Sequence, residues 1–155
     1  MSRRKNAKKR NITADPIYNS IIVSMLINKI LLNGKKSLAQ RIFYESIKRV
    51  KESIKADPMN ILEKAISNAT PIVELKSRRV GGATYQVPIE IKKERGISIA
   101  LTFLIKSARK RPGKSMITKL GNEIIDAYNN TGNSVKKKEE LHKMSETNKA
   151  FANFK

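Results

Sequence analysis

The chain of 155 residues contains no cysteine and no tryptophan, and its one histidine is His142. The lack of cysteine excludes disulfides, thiol catalysis and cysteine zinc sites, and a single histidine excludes an imidazole-rich metal site. Acidic residues are also scarce, because 13 Asp and Glu stand against 33 Lys and Arg, a formal net charge of +20. Such a charge opposes compaction and predicts a polyanionic partner, with nucleic acid first and an anionic membrane surface second.

Long apolar runs and aromatic residues are scarce as well. No apolar run approaches the ~18–20 residues that cross a bilayer, so we expect no membrane span. Aromatic residues make up only 5% of the chain and do not alternate with basic ones. This argues against a sheet that reads single strands by stacking bases, and it favours recognition of folded RNA by shape and phosphate. Composition alone leaves DNA open.

The hydrophobic pattern predicts one mainly α-helical domain with six helices and a two-stranded antiparallel β-ribbon. Gly81-Gly82 supplies the tight turn between two strands with period-two alternation. An isolated ribbon is marginal in water, so we expect it to lie against the helices or a partner. The predicted elements are a helix from Asp15-Pro16 to Asn33-Gly34, a helix over about 37–55, a helix from Asp57-Pro58 to before Pro71, strands from Val73 and over 84–89, a helix from about Ile97 to Pro112-Gly113, a helix over about 117–128, and a helix from Asn133 or Ser134 to about Lys149.

The spacing of apolar residues also predicts which face of each helix is buried. The first and second helices each show one apolar stripe. The sixth helix is so sparsely apolar that we expect it to be partly detached or to bind a partner. The two predicted stripes are Ile17, Ile21, Met25 and Ile30 in the first helix, with Ile22 and Leu26 beside them, and Leu38, Ile42, Val50 and Ile54 in the second, with Phe43 and Ile47 beside them.

The organisation predicted from these patterns has three parts. A basic arm covers 1–14, a helical core with the ribbon at about 72–90 covers 15–132, and a C-terminal helix and tail over 133–155 contact RNA or a partner. The arm carries six cations and no acid within residues 2–10, which favours phosphate contact over a merely solubilising tail. These arm residues are Arg3, Arg4, Lys5, Lys8, Lys9 and Arg10.

Further basic clusters lie in the core and in the C-terminal helix. Arg and Gly at a ribbon tip suit close approach to a nucleic-acid backbone, because Gly leaves room and Arg bonds phosphate with two parallel donors. The cluster at the end of the fourth helix has too many cations to be explained by the helix dipole alone. The clusters are Lys35 and Lys36; Lys76, Arg78 and Arg79; Lys106, Arg109, Lys110, Arg111 and Lys114; and Lys136, Lys137 and Lys138.

No pattern indicates catalysis. The segment 34–37 departs from the phosphate-loop motif, because Lys29 stands where the first Gly belongs and Lys36 interrupts the ending. Glu139 and His142 share a helix face, but without a second histidine we interpret them as part of an exposed, salt-bridged surface. We therefore expect no enzyme, no cofactor, no bound metal and no small-molecule substrate.

Several segments together resemble the small-subunit ribosomal protein seven family in its bacterial and plastid form. The resemblance runs in order along essentially the whole chain, and the ribbon and C-terminal segments are the most specific. The matching segments are Asp15-Pro16-Ile17-Tyr18, Asn33-Gly34-Lys35-Lys36-Ser37, Lys76 to Pro88, Ala108 to Gly113 and Lys138 to Phe154.

The resemblance implies a six-helix bundle with a protruding β-ribbon. It also implies a primary binder of small-subunit ribosomal RNA that nucleates assembly of the subunit head, the 3′ major domain of 16S-type RNA. Its partners would be that RNA, small-subunit proteins nine, eleven, thirteen and nineteen, and exit-site tRNA and mRNA. The implied ribosomal-RNA contacts are Arg3, Arg4, Lys5, Lys8, Lys9, Arg10, Lys35, Lys36, Lys76, Arg78, Arg79, Arg109, Lys110, Arg111 and Lys114. The implied exit-site residues are Arg79, Val80, Gly81, Gly82, Lys136, Lys137 and Lys143.

The chain departs from the family pattern mildly. Phe103 stands where bacterial-type members often have Trp, and Lys replaces Arg at positions including Lys143 and Lys155. Lys is a point charge and does not make the two-pronged phosphate contact of Arg.

Residue usage along the chain also indicates a location, and the basic ribbon leaves one alternative function open. Heavy use of Ile, Lys and Asn indicates an AT-rich genome, and the basic run ends by Arg10, which is short for a transit peptide. We expect an organelle-encoded plastid protein in the ribosome of the chloroplast stroma, with the bacterial cytoplasm as the alternative location. The alternative function is an architectural DNA-binding protein with a basic β-ribbon arm, although Val80 would be its only small wedge.

Overall fold

The computed structural model describes residues 10–153. Within them the chain forms six α-helices and one two-stranded antiparallel sheet, which confirms the predicted fold class. A 3₁₀ turn follows the last helix at Lys149–Asn153. In chain order the elements are α1 (Ile21–Ile30), α2 (Lys36–Ile54), α3 (Pro58–Ala69), β1 (Val73–Val80), β2 (Ala83–Glu90), α4 (Lys93–Lys110), α5 (Met116–Tyr128) and α6 (Gly132–Thr147).

Helix α5 lies at the centre of the bundle, where it contacts α2, α3, α4 and α6. Its Leu120 and Ile124 are fully buried, as are Phe43 of α2 and Leu104 of α4. Burying one such side chain contributes about 1.5–3 kcal/mol relative to leaving it exposed. One continuous apolar core therefore holds the helices on which the basic side chains are mounted.

The first helix begins later than the Asp-Pro signal predicted. The Asp15 carboxylate accepts hydrogen bonds from the backbone N–H groups of Ile17 and Tyr18, at 3.1 and 3.2 Å, so it does cap a turn. Asn19 then adopts a left-handed conformation with φ of 46°, which breaks the turn before it can propagate. The helix starts only at Ile21 and ends at Ile30, before Asn33 and Gly34, which are both left-handed as expected.

The predicted apolar stripes of α1 and α2 were partly wrong. Ile17 and Ile21 are 64% and 55% exposed, and Leu38 of α2 is 50% exposed. A run with an apolar residue at nearly every position offers several possible stripes, and the packing of α1 on α2 and α4 selects among them. The buried residues are Val23, Leu26, Ile27 and Ile30 in α1, and Ala39, Phe43, Ser46, Ile47 and Val50 in α2.

The β-ribbon pairs all eight residues of each strand, from Val73 opposite Glu90 to Val80 opposite Ala83. Gly81 and Gly82 have φ of 58° and 90°, the left-handed geometry of a tight hairpin turn, which confirms their predicted role. The ribbon base lies against α6 and the 3₁₀ turn, as its marginal intrinsic stability required.

Helix α6 is not detached, so the first of the two alternatives predicted from its polar sequence is wrong, whereas binding to a partner stays a prediction. It begins at Gly132, with Thr131 as the preceding cap residue, and packs on α4, α5 and β1. Ser134, Val135 and Ser145 are its buried residues. Small hydroxyl side chains replace part of the apolar stripe, and the hydropathy pattern could not count them as buried.

Candidate nucleic-acid interface

The ends of α1 and α4 meet, and this brings two basic clusters together that are far apart in sequence. The Arg109 guanidinium donates from Nη2 to the backbone oxygen of Ile30 at 3.2 Å, and it reaches that of Lys29 at 3.5 Å. These carbonyls belong to the last turn of α1, where a cation is favoured by the helix dipole. The turn that follows carries Lys35 and Lys36, both exposed.

Lys29 is a further member of this surface that the sequence analysis did not propose as a contact. Its ammonium donates to the hydroxyl of Thr102 at 2.8 Å, across from α1 to α4. Partial burial lowers the pKa of Lys29, and the positive charge of Lys106 lowers it further. Lys29 and Lys106 therefore lie close enough on these two helices for their positive charges to repel each other.

Arg10 of the N-terminal arm lies at the same surface. Arg10 is exposed and shares with Lys36 and Asn28 the lining of a surface cavity of about 370 Å³. We call the group Arg10, Lys29, Lys35, Lys36, Lys106 and Arg109 the basic face. The remaining arm residues, Arg3, Arg4, Lys5, Lys8 and Lys9, lie outside the described residues.

The loop between α4 and α5 divides into residues that face solvent and one that does not. Lys110 and Lys114 are exposed, and Lys114 stands just before α5, which begins without a side-chain cap and without an acid in its first turn. Arg111 instead points into the fold, where its side chain is only 20% exposed. Its Nε lies 2.5 Å from Glu123, and its Nη2 bonds Asp126.

The pairing of Arg111 changes its expected role. Burial by itself would lower the pKa of its guanidinium, but hydrogen bonds to Asp126 and Glu123 outweigh burial and raise the pKa. A guanidinium with two carboxylate partners is already neutralised, so the RNA contact predicted for Arg111 has no support in this arrangement.

The ribbon tip forms a second basic surface. Arg78 and Arg79 are exposed, and so are Gly81 and Gly82, where a Cβ atom would meet nothing within 4 Å. Lys76, also exposed, lies 3.8 Å from Glu74, whose other oxygen bonds Arg95 at 2.8 Å. The tip therefore offers unencumbered backbone and two arginines to a ligand.

The basic residues of α6 differ in their availability. Lys136 and Lys143 are exposed, whereas Lys137 is half-buried. The ammonium of Lys138 donates to the backbone oxygen of Asn68 at 2.5 Å and so serves the packing of α6 on α3.

His142 has a structural role that the sequence analysis missed. Its Nε2 accepts a hydrogen bond of 3.1 Å from the backbone N–H of Ile72, which fixes the entry of the ribbon to α6. The ion pairs among residues 10–153 involve neither Glu139 nor Glu140, so the expected salt-bridged surface is wrong at these positions.

Two other kinds of feature, a metal-binding cluster and a membrane-spanning helix, are absent from the described residues. Histidine and carboxylate side chains form no group there that could hold a metal ion. None of the helices described combines the length and apolarity needed to cross a membrane.

Comparison with known proteins identifies the family. The family model described as Ribosomal protein S7p/S5e matches residues 2–149. The chain belongs to this family. The predicted resemblance to small-subunit ribosomal protein seven is thereby confirmed. Because the family is one of structural ribosomal proteins, the prediction of a non-enzymatic protein is confirmed as well.

Individual relatives of the S7p/S5e family are similar over their full length. The chain is 62% identical to "Small ribosomal subunit protein uS7c" of Euglena gracilis, over 100% of this chain and 99% of that protein. It is 56% identical to "Small ribosomal subunit protein uS7" of Thermosynechococcus vestitus and 52% identical to that of Acaryochloris marina, with the same coverage. A Euglena uS7c and cyanobacterial relatives agree with the predicted plastid ribosome.

Proposed function

We propose that the chain is a structural constituent of the small subunit of a plastid ribosome and binds ribosomal RNA through the basic face. Within this proposal it is a primary binder that nucleates assembly of the subunit head, the 3′ major domain of 16S-type RNA. The arm over 1–14 and the segment 133–155 add RNA or partner contacts on either side of the core. The observation that carries the proposal is that cations from three segments, the described end of the arm, the α1–α2 connection and the end of α4, lie together on one surface.

This surface suits a phosphate backbone rather than a base-reading task. Exposed ammonium groups neutralise phosphates and release counterions, a sequence-independent contribution to affinity. Sequence or shape selectivity then comes from the fixed spacing of cations on rigid helices, and Arg109 is held in place by its bonds to the end of α1.

The ribbon is proposed as a separate contact. Because β1 and β2 pack mainly on α6 and the 3₁₀ turn, the tip lies apart from the ends of α1 and α4. Arg79 and Gly81-Gly82 at the tip, with Lys136, Lys137 and Lys143 of α6, would then approach exit-site tRNA and the mRNA path. The protein neighbours in this proposal are small-subunit proteins nine, eleven, thirteen and nineteen.

Salt dependence of RNA binding tests the proposal. The double variant Lys35→Ala, Lys36→Ala should bind a small-subunit 3′-domain RNA more weakly than the unchanged chain. Its slope of log affinity against log salt should be shallower by ~1.4–1.8, since each phosphate neutralised contributes about 0.7–0.9. Filter binding or fluorescence anisotropy over a salt series measures both quantities.

A matched control is available on α2. Lys48 and Lys51 are exposed but lie away from the basic face, beside Asp57 at the other end of the helix. The variant Lys48→Ala, Lys51→Ala removes the same charge and should retain most of the slope. Equal losses in the two variants would refute a localised interface, and equally tight binding of duplex DNA would favour the architectural DNA-binding alternative.

A further inference from the structure

Glu123 of α5 is a fully buried carboxylate that no part of the RNA-binding proposal uses. Its Oε2 accepts from Nε of Arg111 at 2.5 Å, and its Oε1 accepts from the backbone N–H of Ser134 at 2.9 Å. Arg111 directly follows α4 and opens the loop that leads to Lys114. Ser134 lies in the first turn of α6, two residues before Lys136. One carboxylate thus joins two separate basic segments.

The contact with α6 replaces an ordinary helix cap. The first N–H groups of a helix have no partner within it, and the cap residue Thr131 makes no side-chain cap bond. Glu123 supplies both the acceptor and the negative charge that a helix N-terminus favours. It does so from another helix, so the start of α6 cannot move without α5.

Close packing makes this arrangement tight. A Cβ atom on Gly132 would lie 3.0 Å from the Cβ of Asp126 and 3.3 Å from Oε1 of Glu123, and Gly132 has φ of 89°. Asp126 contributes twice, since its carboxylate bonds Arg111 and its backbone oxygen accepts from the N–H of Thr131 at 2.8 Å. The loop after α4 and the start of α6 are therefore pressed against the same turn of α5.

Stability alone is a weak explanation for such a network. Buried ion pairs are often replaceable by apolar side chains at no cost, because desolvation offsets the attraction. An apolar replacement would no longer orient the two segments, because hydrogen bonds from Arg111 and Ser134 fix how the loop and the helix leave α5. Both segments carry exposed lysines, Lys114 and Lys136, within three residues of the anchored positions.

We propose that Glu123 is a positioning residue for RNA binding, which holds Lys114 of the α4–α5 loop and Lys136 of α6 at a fixed separation so that they bind phosphates of one RNA together. This inference rests on the proposed function, and it places Lys136 on the small-subunit RNA beside Lys114 in addition to its proposed approach to exit-site tRNA and mRNA. It assigns Arg111 and Glu123 to the orientation of the interface rather than to contact with RNA.

A comparison of Lys114→Ala in different backgrounds tests the inference. In the unchanged chain this substitution should weaken binding to small-subunit RNA roughly three- to tenfold. In the Glu123→Gln background the side chain keeps its shape but loses its charge, and its single amide oxygen can accept from Arg111 or from the N–H of Ser134 but not from both as the two carboxylate oxygens do. There the same substitution should weaken binding less than twofold. A loss of stability alone would not change the effect of Lys114→Ala in a protein that is folded at the assay temperature.

The control background is Glu45→Gln on the exposed face of α2. Glu45 pairs with Arg41 in an exposed i,i+4 bond, so its removal raises the net charge by the same single unit without touching the interface. Lys114→Ala should weaken binding to small-subunit RNA by the same factor in this background as in the unchanged chain. Equal costs in the Glu45→Gln and Glu123→Gln backgrounds would overturn the inference.

Two further measurements cover the cases in which the variant does not fold or the protein does not prefer RNA. If circular dichroism shows that Glu123→Gln is unfolded, Arg111→Lys, which keeps the charge but not the two-pronged geometry, replaces it with the same expectation. If the unchanged chain binds duplex DNA as tightly as small-subunit RNA, the proposed function fails. The loss of affinity caused by Lys114→Ala, with and without Glu123→Gln, is then measured with that DNA in the same way.

Discussion

Asp15 is almost fully buried although it lies at the boundary between the basic arm and the helical core. Its carboxylate bonds two backbone N–H groups of the following turn and accepts from the Tyr44 hydroxyl at 2.7 Å. These hydrogen bonds satisfy the buried carboxylate and tie the segment that ends the arm to α2. Arg10, the first described residue of the arm, lies at the same cavity as Asp15 and Lys36.

The Tyr44 hydroxyl reports on this anchor. Burial, and then the hydrogen bond to Asp15, raise the pKa of Tyr44 from its ordinary 10.0 to about 12. The folded state holds the Tyr44 proton more tightly than the unfolded state does. Protonated Tyr44 therefore makes its full contribution to the free energy of unfolding below about pH 10, and this contribution declines between pH 10 and about 12.

Substitution of Asp15 should shift this titration in a defined way. Asp15→Asn should lower the pKa of Tyr44 while leaving it above its ordinary value, because burial is the larger cause. The absorbance of tyrosinate during an alkaline titration measures the shift, and Tyr44→Phe identifies the late step by removing it. An unchanged late step in Asp15→Asn would show that the anchor does not act on Tyr44.

At the scale of elements, the β-ribbon shows how a marginal unit is made rigid. Two strands alone are barely stable in water, so the base must be held by something else. Here His142 accepts from the backbone of Ile72, and the rings of Tyr85 and Phe151 approach to 4.9 Å between centroids. The base is fixed to α6 and the 3₁₀ turn, while Arg78 and Arg79 remain exposed.

The double variant Arg78→Ala, Arg79→Ala should consequently fold normally and bind RNA more weakly. Exposed substitutions away from special contacts usually change stability by no more than about 0.5 kcal/mol, so the melting temperature should move little. Thermal melting followed by circular dichroism and RNA affinity are both measured, with Lys48→Ala, Lys51→Ala as the charge-matched control. Unfolding of the arginine variant would mean that these side chains are structural.

At the scale of the whole molecule, the net charge of +20 acts against folding and in favour of RNA binding. The five ion pairs of the described residues use few of the cations, and three of the pairs are largely exposed on the basic partner's side. Most of the positive charge is thus left to repel itself until a polyanion neutralises it.

Added salt should therefore have opposite effects on the two properties. The melting temperature of the free protein should rise with sodium chloride, because screening weakens repulsion between exposed charges. The affinity for RNA should fall over the same series, because less entropy is gained from counterion release. A melting temperature that falls with salt would show that surface attraction, not repulsion, dominates the free protein.

Local signals explain which predictions succeeded. Asp57 accepts from the N–H of Asn60 and Pro58 opens α3, a signal that needs only neighbouring residues. The turn at Gly81-Gly82 and the alternation on either side of it also depend on the adjacent backbone alone. The Asp15-Pro16 signal failed as a helix start because Asn19 interrupts the turn, a conformation that neighbouring sequence permits but does not require.

The amino-acid sequence by itself determined the absence of thiol chemistry and of imidazole-rich metal sites, the strong positive charge, the order of helices and ribbon, and the positions of the basic clusters along the chain. These follow from composition and short-range patterns, which are the same in any packing. Only the tertiary structure decided which apolar stripe of α1 is buried, that Lys29 joins Lys35 and Lys36, and that Arg111 belongs to Glu123 and Asp126 rather than to solvent. The physical reason is that a charge or an apolar face acquires its role from partners distant in sequence, and the packing of the helices alone brings those partners within reach.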